Sequence, residues 1–362
     1  MPFELLGEIF RYLCLNGPLP LRHALCVSKS FYNAAVHNAY LWSTVSLDVQ
    51  FFKHFRNRPC EEGDAFLEQC LRRSGTTPLH LKIDFVALYS LHLEIRYKSW
   101  DAPPPNANSL YRLCRLLQTF GKVDVNAFER CASLALCHSF DRGSVNRVLE
   151  VLPERLPSLQ YLYLSQFQAP LSREQFRECP MLESVHISAN HRVHPQFWGT
   201  NFTRVKTLTF KEDDLWNWYD ISTLSLFPAI QHLNLSAPGF GGYRSGASKN
   251  AAQVVQFLHL RTLRVRGFVH GKILAQLEAP ALEALYVEAD HQGHTSIMTL
   301  HDYYPHFHCS KLYALLPPTI ATVDPRWSRQ LEALANKCSQ LEVVYVSKWM
   351  ETECEGVPHC TT

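Results

Sequence analysis

The chain has 362 residues, of which 46% are hydrophobic and 19% charged, and its formal net charge is +2. Such a composition buries a real core and excludes a wholly disordered chain, while so small a charge excludes recognition of nucleic acid by bulk electrostatics. The twelve cysteines are scattered, most of them in apolar patterns such as "HALCVSKSF" and "ERCASLALCHSF", which reads as buried free thiols in a reducing compartment rather than a disulfide framework.

The first predicted element is a helix in "MPFELLGEIFRYL". Pro2 suits a first helical turn, and Leu5, Leu6, Ile9, Phe10 and Leu13 recur on one face. Glu4, Glu8 and Arg11 interrupt the run, so it does not read as a secretory signal, and no apolar run reaches the roughly 18 residues of a membrane span. Gly17, Pro18 and Pro20 break the helix. A second helix is predicted over "LRHALCVSKSFYNAAVHNA", and a short third element ends in "AYLWSTVSL". Three short helices make a thin core, which would gain from a partner or an adjoining domain.

These residues together resemble an F-box. The resemblance rests on Pro2, Glu4, Leu5, Leu6, Ile9, Phe10 and Leu13 in the first motif, and on Leu25, Val27, Leu41 and Trp42 in the later part. Met1 stands where the family usually has leucine, and Phe31 where it usually has tryptophan. The resemblance implies that these eleven matching positions dock a Skp-type adaptor and, through it, a cullin–RING ubiquitin ligase. It also implies a chain with no covalent step of its own, which holds a protein client near the charged conjugating enzyme.

A linking helix is predicted over 51–77. Beyond it, an apolar-x-x-apolar-x-apolar pattern recurs at Leu159-Leu162-Leu164, Leu182-Val185-Ile187, Val205-Leu208-Phe210, Ile230-Leu233-Leu235, Leu260-Leu263-Val265, Leu282-Leu285-Val287 and Leu341-Val344-Val346. Fainter copies sit at Leu81-Ile83, Leu134-Leu136 and Leu312-Leu315. The clear copies are spaced by 23, 23, 25, 30, 22 and 59 residues, a period that marks stacked strand-and-return units. This region, 78–362, resembles the degenerate leucine-rich-repeat domains of fungal F-box proteins. The expected fold is therefore α/β: a three-helix module over 1–50, then an irregular leucine-rich-repeat solenoid with a curved parallel sheet.

Alternation along these strands predicts an open face carrying Tyr161, Tyr163, His186, Thr209, His232, Asn234, Arg264, Arg266, Tyr286 and Tyr345. Tyrosine and arginine are frequent interface anchors, so this row is the expected client surface. The "GGYRSGAS" stretch resembles a phosphate loop but has Ala247 where the lysine should stand, and it reads as an insertion. The His-rich "HDYYPHFHC" and the "CEGVPHC" segment lack the regular spacing of a structural zinc site, and no cofactor is expected. The sequence-based expectation is a cytoplasmic or nuclear, non-enzymatic substrate-recognition subunit that binds no nucleic acid and no membrane. The alternative is an interaction scaffold in which the helical module only caps the solenoid.

Overall fold

Leucine in alternation, preceded by a tight turn, is the local rule from which the sheet is built. In the computed structural model, the described residues are 3–14, 18–55, 58–88, 107–123, 127–139, 142–167, 176, 179–189, 202–212, 221–237, 254–267, 277–288, 311–315 and 342–345. The chain divides into two units, Met1–Leu182 with Gly356–Thr362, and Glu183–Glu355. Both are α/β or β in character, with parallel strands laid down in chain order.

The first unit opens with helix α1 (Phe3–Leu13), followed by α2 (Leu21–Ala24) and α3 (Lys29–Val36). The single second helix expected from the apolar pattern is thus two. Ser28, in extended conformation, breaks it and caps α3, its side chain accepting from the Phe31 N–H at 3.2 Å. A 3-10 turn at Ala39–Trp42 leads straight into strand β1 (Thr44–Leu47), so the end of the helical module already belongs to the sheet. Next come α4 (Val49–Phe55), α5 (Cys60–Ser74), β2 (Leu79–Asp84), α6 (Ala107–Val123), β3 (Cys131–Ser139), α7 (Arg142–Val151) and β4 (Tyr161–Phe167).

Strands β1, β2, β3 and β4 pair in that order. Val45, Leu81, Leu134 and Leu162 form one buried row across them, and Leu47, Ile83, Leu136 and Leu164 a second. The segment expected as one linking helix is α4 plus α5. Asp48 caps α4 by accepting from the Gln50 and Phe51 N–H groups, and Arg112 of α6 donates to the Phe55 carbonyl at its other end. Phe51, Phe55 and Phe66 stack between α4 and α5. Gly75, with φ +54°, turns the chain out of α5 in a conformation that other residues adopt at a cost. Arg130 then seals that end, donating to the Thr77 and Leu71 carbonyls and the Ser74 hydroxyl.

The second unit contains β5 (Ser184–Ala189), β6 (Thr207–Glu212), β7 (His232–Ala237), β8 (Val255–Gln256), β9 (Thr262–Gly267), β10 (Leu277–Glu278), β11 (Ala284–Glu288), β12 (Lys311–Leu315) and β13 (Glu342–Tyr345). All but β8 and β10 join one parallel sheet in chain order; those two pair with each other. Where the "KNAAQVVQFL" segment is described it carries strand β8, whose Val255 is buried. The "LEAP" segment likewise begins with strand β10. Val185, Leu208, Leu233, Leu263 and Leu285 make a fully buried row.

Strands β4, β5, β6, β7, β9 and β11 are each fed by the same turn. The N–H of Leu159, Leu182, Val205, Ile230, Leu260 and Leu282 bonds to the carbonyl three residues earlier, at Leu156, Cys179, Phe202, Phe227, Phe257 and Ala279. Both residues of every pair are buried. Pro157, Pro180, Pro228 and Pro280 occupy the second position of four of these turns, where the fixed proline φ suits the bend. Along the backs of successive turns, Phe202 and Phe227 stack at 5.1 Å between ring centres. The repeated unit is therefore a buried turn plus a strand, rather than the strand motif alone.

Candidate functional site

Two surfaces carry the side chains singled out in the sequence. On α1 the apolar stripe divides in two. Leu6 and Phe10 point inward, and Phe10 meets Phe31 edge-on at 5.4 Å. Leu5, Ile9 and Leu13, four residues apart, form a line along the outer side and are 55%, 43% and 50% exposed. Val27, in the turn before α3, is 64% exposed, and Leu25 is half-buried. Tyr12 and Tyr40 add exposed aromatic surface to this small module.

Trp42 is fully buried. Its indole N–H donates to the Ala35 carbonyl at 2.7 Å, and the Arg73 guanidinium lies 4.3 Å above its ring. Leu41 is buried beside it. The eleven positions carried over from the F-box motif therefore separate. Leu6, Phe10, Leu41 and Trp42 are spent on this chain's own core, because the thin helical module closes on its largest side chains. Leu5, Ile9, Leu13 and Val27 are the ones available to a partner, with Leu25 at the margin. Pro2 lies outside the described residues, as does the side chain of Glu4.

The expected client row also divides. In the first unit, Tyr161 and Tyr163 are half-buried and register with Ser133 and Ala135, on the same face as His80 and Lys82. His80 has a buried Nδ1 with no hydrogen-bond partner, and burial pushes its pKa down. In the second unit, His186, Thr209, Asn234, Arg264 and Tyr286 are aligned in one register row. The Asn234 amide donates to the Thr209 hydroxyl at 3.0 Å, which fixes neighbouring strands side by side. His232 belongs to the row before it and shares a 2.7 Å hydrogen bond with Thr262. Arg266 belongs to the row after it.

Tyr345 departs from the expected row. The backbone register pairs it with Ala314, in the row of Val287 and Val265, whereas Tyr286 is in register with Tyr313 and Val344. The pairing of β13 with β12 starts one residue off the phase of the earlier copies, and a one-residue slip exchanges the two faces. The side chain of Tyr345 lies outside the described residues.

Lys211 and Ser236 were not singled out in the sequence, yet both sit on this face, two residues beyond Thr209 and Asn234. Extending the same alternation by one step would have found them. Burial, followed by the nearby Lys211 charge, pushes the His186 pKa down to about 4, so its ring is neutral at neutral pH. Burial, then Arg261, also lowers that of His232.

The thiols offer no nucleophile among the groups with resolved shifts. Burial pushes Cys14 and Cys131 up to about 12 and Cys179 to about 11, which keeps them as thiols. Among the described residues, no group of three or more His, Cys, Asp or Glu side chains could hold a metal, and no helix is long and apolar enough to cross a membrane. The His-rich 301–309 segment, the 354–360 segment and the glycine-rich 241–248 loop lie outside the described residues. No protein-family model matches the chain, and no curated protein matches it in sequence.

Proposed function

We propose that this chain is an F-box-like substrate-recognition subunit of a cullin–RING ubiquitin ligase. The outer side of its helical module docks a Skp-type adaptor, and a leucine-rich-repeat-like solenoid offers its polar sheet face to a protein client. The observation that carries this reading is the division of α1. One apolar line, Leu6 and Phe10, is consumed by the module, while a second, Leu5, Ile9 and Leu13, lies exposed, as Val27 does. An isolated soluble helix does not need two apolar lines, and contiguous exposed apolar surface marks a protein contact. The chain supplies no catalytic group in this reading; it raises the local concentration of the client's lysine at the conjugating enzyme.

The test is capture of purified Skp-type adaptor by the full chain. Wild type retains the adaptor, and the double substitution Leu5→Asp with Ile9→Asp abolishes retention while the thermal unfolding midpoint stays unchanged. Exposed substitutions cost within about 0.5 kcal/mol, so folding is separable from docking. Absence of capture by folded wild type sinks the reading.

A second reading is favoured by the way Trp42 is held. Its ring is covered by Arg73 of α5, so the module is tied into the first unit. That suits a scaffold whose helical module serves only as a cap. It is the surviving reading if folded wild type captures no adaptor and deletion of residues 1–50 unfolds the remainder.

A further inference from the structure

The outer side of α1 is broader than one apolar line, and its residues do not all look the same way. Each residue of an α-helix turns by about 100°, so a residue four positions on is rotated by about 40° and one seven positions on by about −20°. Leu5, Ile9 and Tyr12 stand at i, i+4 and i+7 and fall within an arc of about 60°. Leu13, at i+8, is rotated by about 80° from Leu5, and so stands about 20° from the direction of Leu6. Leu6 is 2% exposed and belongs to the core of the module. The exposed line from Leu5 through Ile9 to Leu13 therefore winds toward the buried side, whereas Leu5, Ile9 and Tyr12 make a straight seam along the helix.

Exposure follows the same geometry. Tyr12 is 74% exposed, more than Leu5, Ile9 or Leu13. Its ring is the largest apolar surface on this side of α1, and it stands at the end of the seam. On the flank away from the core the seam is bordered by Glu8 and Arg11, both exposed. An apolar centre with a charged border is the make-up of a protein contact. A spacing of i, i+4 and i+7 is how a single helix is read by an apolar groove on a partner.

We propose that Tyr12 is an anchor of the adaptor contact: Leu5, Ile9 and Tyr12 form the seam that enters an apolar groove of the Skp-type adaptor, and Leu13 stays at its margin. Tyrosine is among the residues that most often dominate an interface. It buries a large ring at the cost of only two side-chain torsions, and its hydroxyl reaches the wet rim without being stranded in the apolar centre. The assignment rests on the helical module being the adaptor-docking element, and it names a further residue of that contact. It also departs from the set of positions matched to the F-box motif, which holds Leu13 and omits Tyr12.

The test is equilibrium titration of the full chain with purified Skp-type adaptor. Tyr12→Ala weakens binding by about tenfold or more, and Tyr12→Phe changes it by less than about threefold. Leu13→Ala costs less than about threefold. Tyr40→Ala, which removes a ring of similar exposure in the turn after α3, has an equally small effect. All three positions are exposed, so the variants keep the wild-type unfolding midpoint and a loss reads docking. Hydroxyl-radical footprinting of the wild-type complex gives the same answer without a substitution: Tyr12 becomes protected and Tyr40 does not. Binding by Tyr12→Ala within about threefold of wild type overturns the proposal. So does a loss at Leu13→Ala or Tyr40→Ala equal to that at Tyr12→Ala, or a Tyr12 left unprotected in the complex. In each of these outcomes wild type still binds, and the adaptor reading stands with a different seam. No binding by folded wild type sinks the adaptor reading, and the seam with it.

Discussion

The two units lay down parallel strands by the same rule and return the chain by different means. In the first, α5, α6 and α7 run 15, 17 and 10 residues between strands, each amphipathic and each contributing a buried side. In the second, the described returns are 3-10 turns at Phe202–Arg204 and Ile221–Leu226 and the short β8 and β10. The difference teaches that the strand signal is independent of the return segment. A buried turn, then alternation, suffices for pairing, and the return need only bring some apolar residues to the back of the sheet. It also explains where polar chemistry collects. The first unit uses its long side chains to tie elements together, as Arg112 and Arg130 do. The second leaves Lys211 and Arg266 exposed on its face.

The largest expected break is in the first unit. Trp42→Ala removes a fully buried ring, its hydrogen bond to Ala35 and its contact with Arg73, and should cost about 3–5 kcal/mol. Chemical denaturation followed by far-UV circular dichroism reads this loss. An α-helical signal that disappears ahead of the β signal would show that the helix-backed unit falls first.

A smaller effect belongs to the second unit and depends on pH. The His186 pKa is lower in the folded chain, at about 4, than its ordinary value near 6.5. Between these values the unfolded chain binds more protons, so this stabilisation is complete above pH 6.5 and is lost as the pH falls toward 4. The loss should amount to about 3 kcal/mol. His186→Gln should flatten that part of the stability profile; an unchanged slope would assign the acid sensitivity elsewhere, with His232 and His80 the next groups to test.

The smallest sharpens the role of side chains as ties. Arg130→Met keeps the apolar stem but leaves the Thr77 and Leu71 carbonyls and the Ser74 hydroxyl without this donor, at a cost of about 1–2 kcal/mol. Hydrogen exchange should rise at the end of α5 and at the start of β2. Little change there would mean that Gly75 and water already satisfy that helix end.

Much of the fold was legible because alternation and turn chemistry are local. Strands occur at each apolar repeat, including the faint copies at Leu81-Ile83, Leu134-Leu136 and Leu312-Leu315. The turn residues Leu156, Cys179, Phe202, Phe227, Phe257 and Ala279 were equally visible, three positions ahead of each motif, but a six-residue template did not reach them. Ser28 is a similar case: a helix-capping residue inside an apolar pattern, outweighed by the length of that pattern. The Val255-Gln256 stretch is ambiguous in sequence because a short apolar run fits a helix and a strand alike, and its partner, Leu277-Glu278, lies two strands on.

The sequence by itself determined which residues share a face. It placed Leu5, Ile9 and Leu13 in line on α1, and His186, Thr209, Asn234 and Arg264 on one side of their strands, since these arise from the 3.6- and 2-residue periods of the backbone. Only the tertiary structure decided what each face meets. It gave Leu6, Phe10, Leu41 and Trp42 to the core and left Leu5, Ile9 and Val27 outside, and it moved Tyr345 to the other row. It also brought Lys211 and Arg266 to either side of Ser236. The reason is that a period fixes direction within one element, whereas burial, register and the meeting of charges depend on which neighbour packs against it.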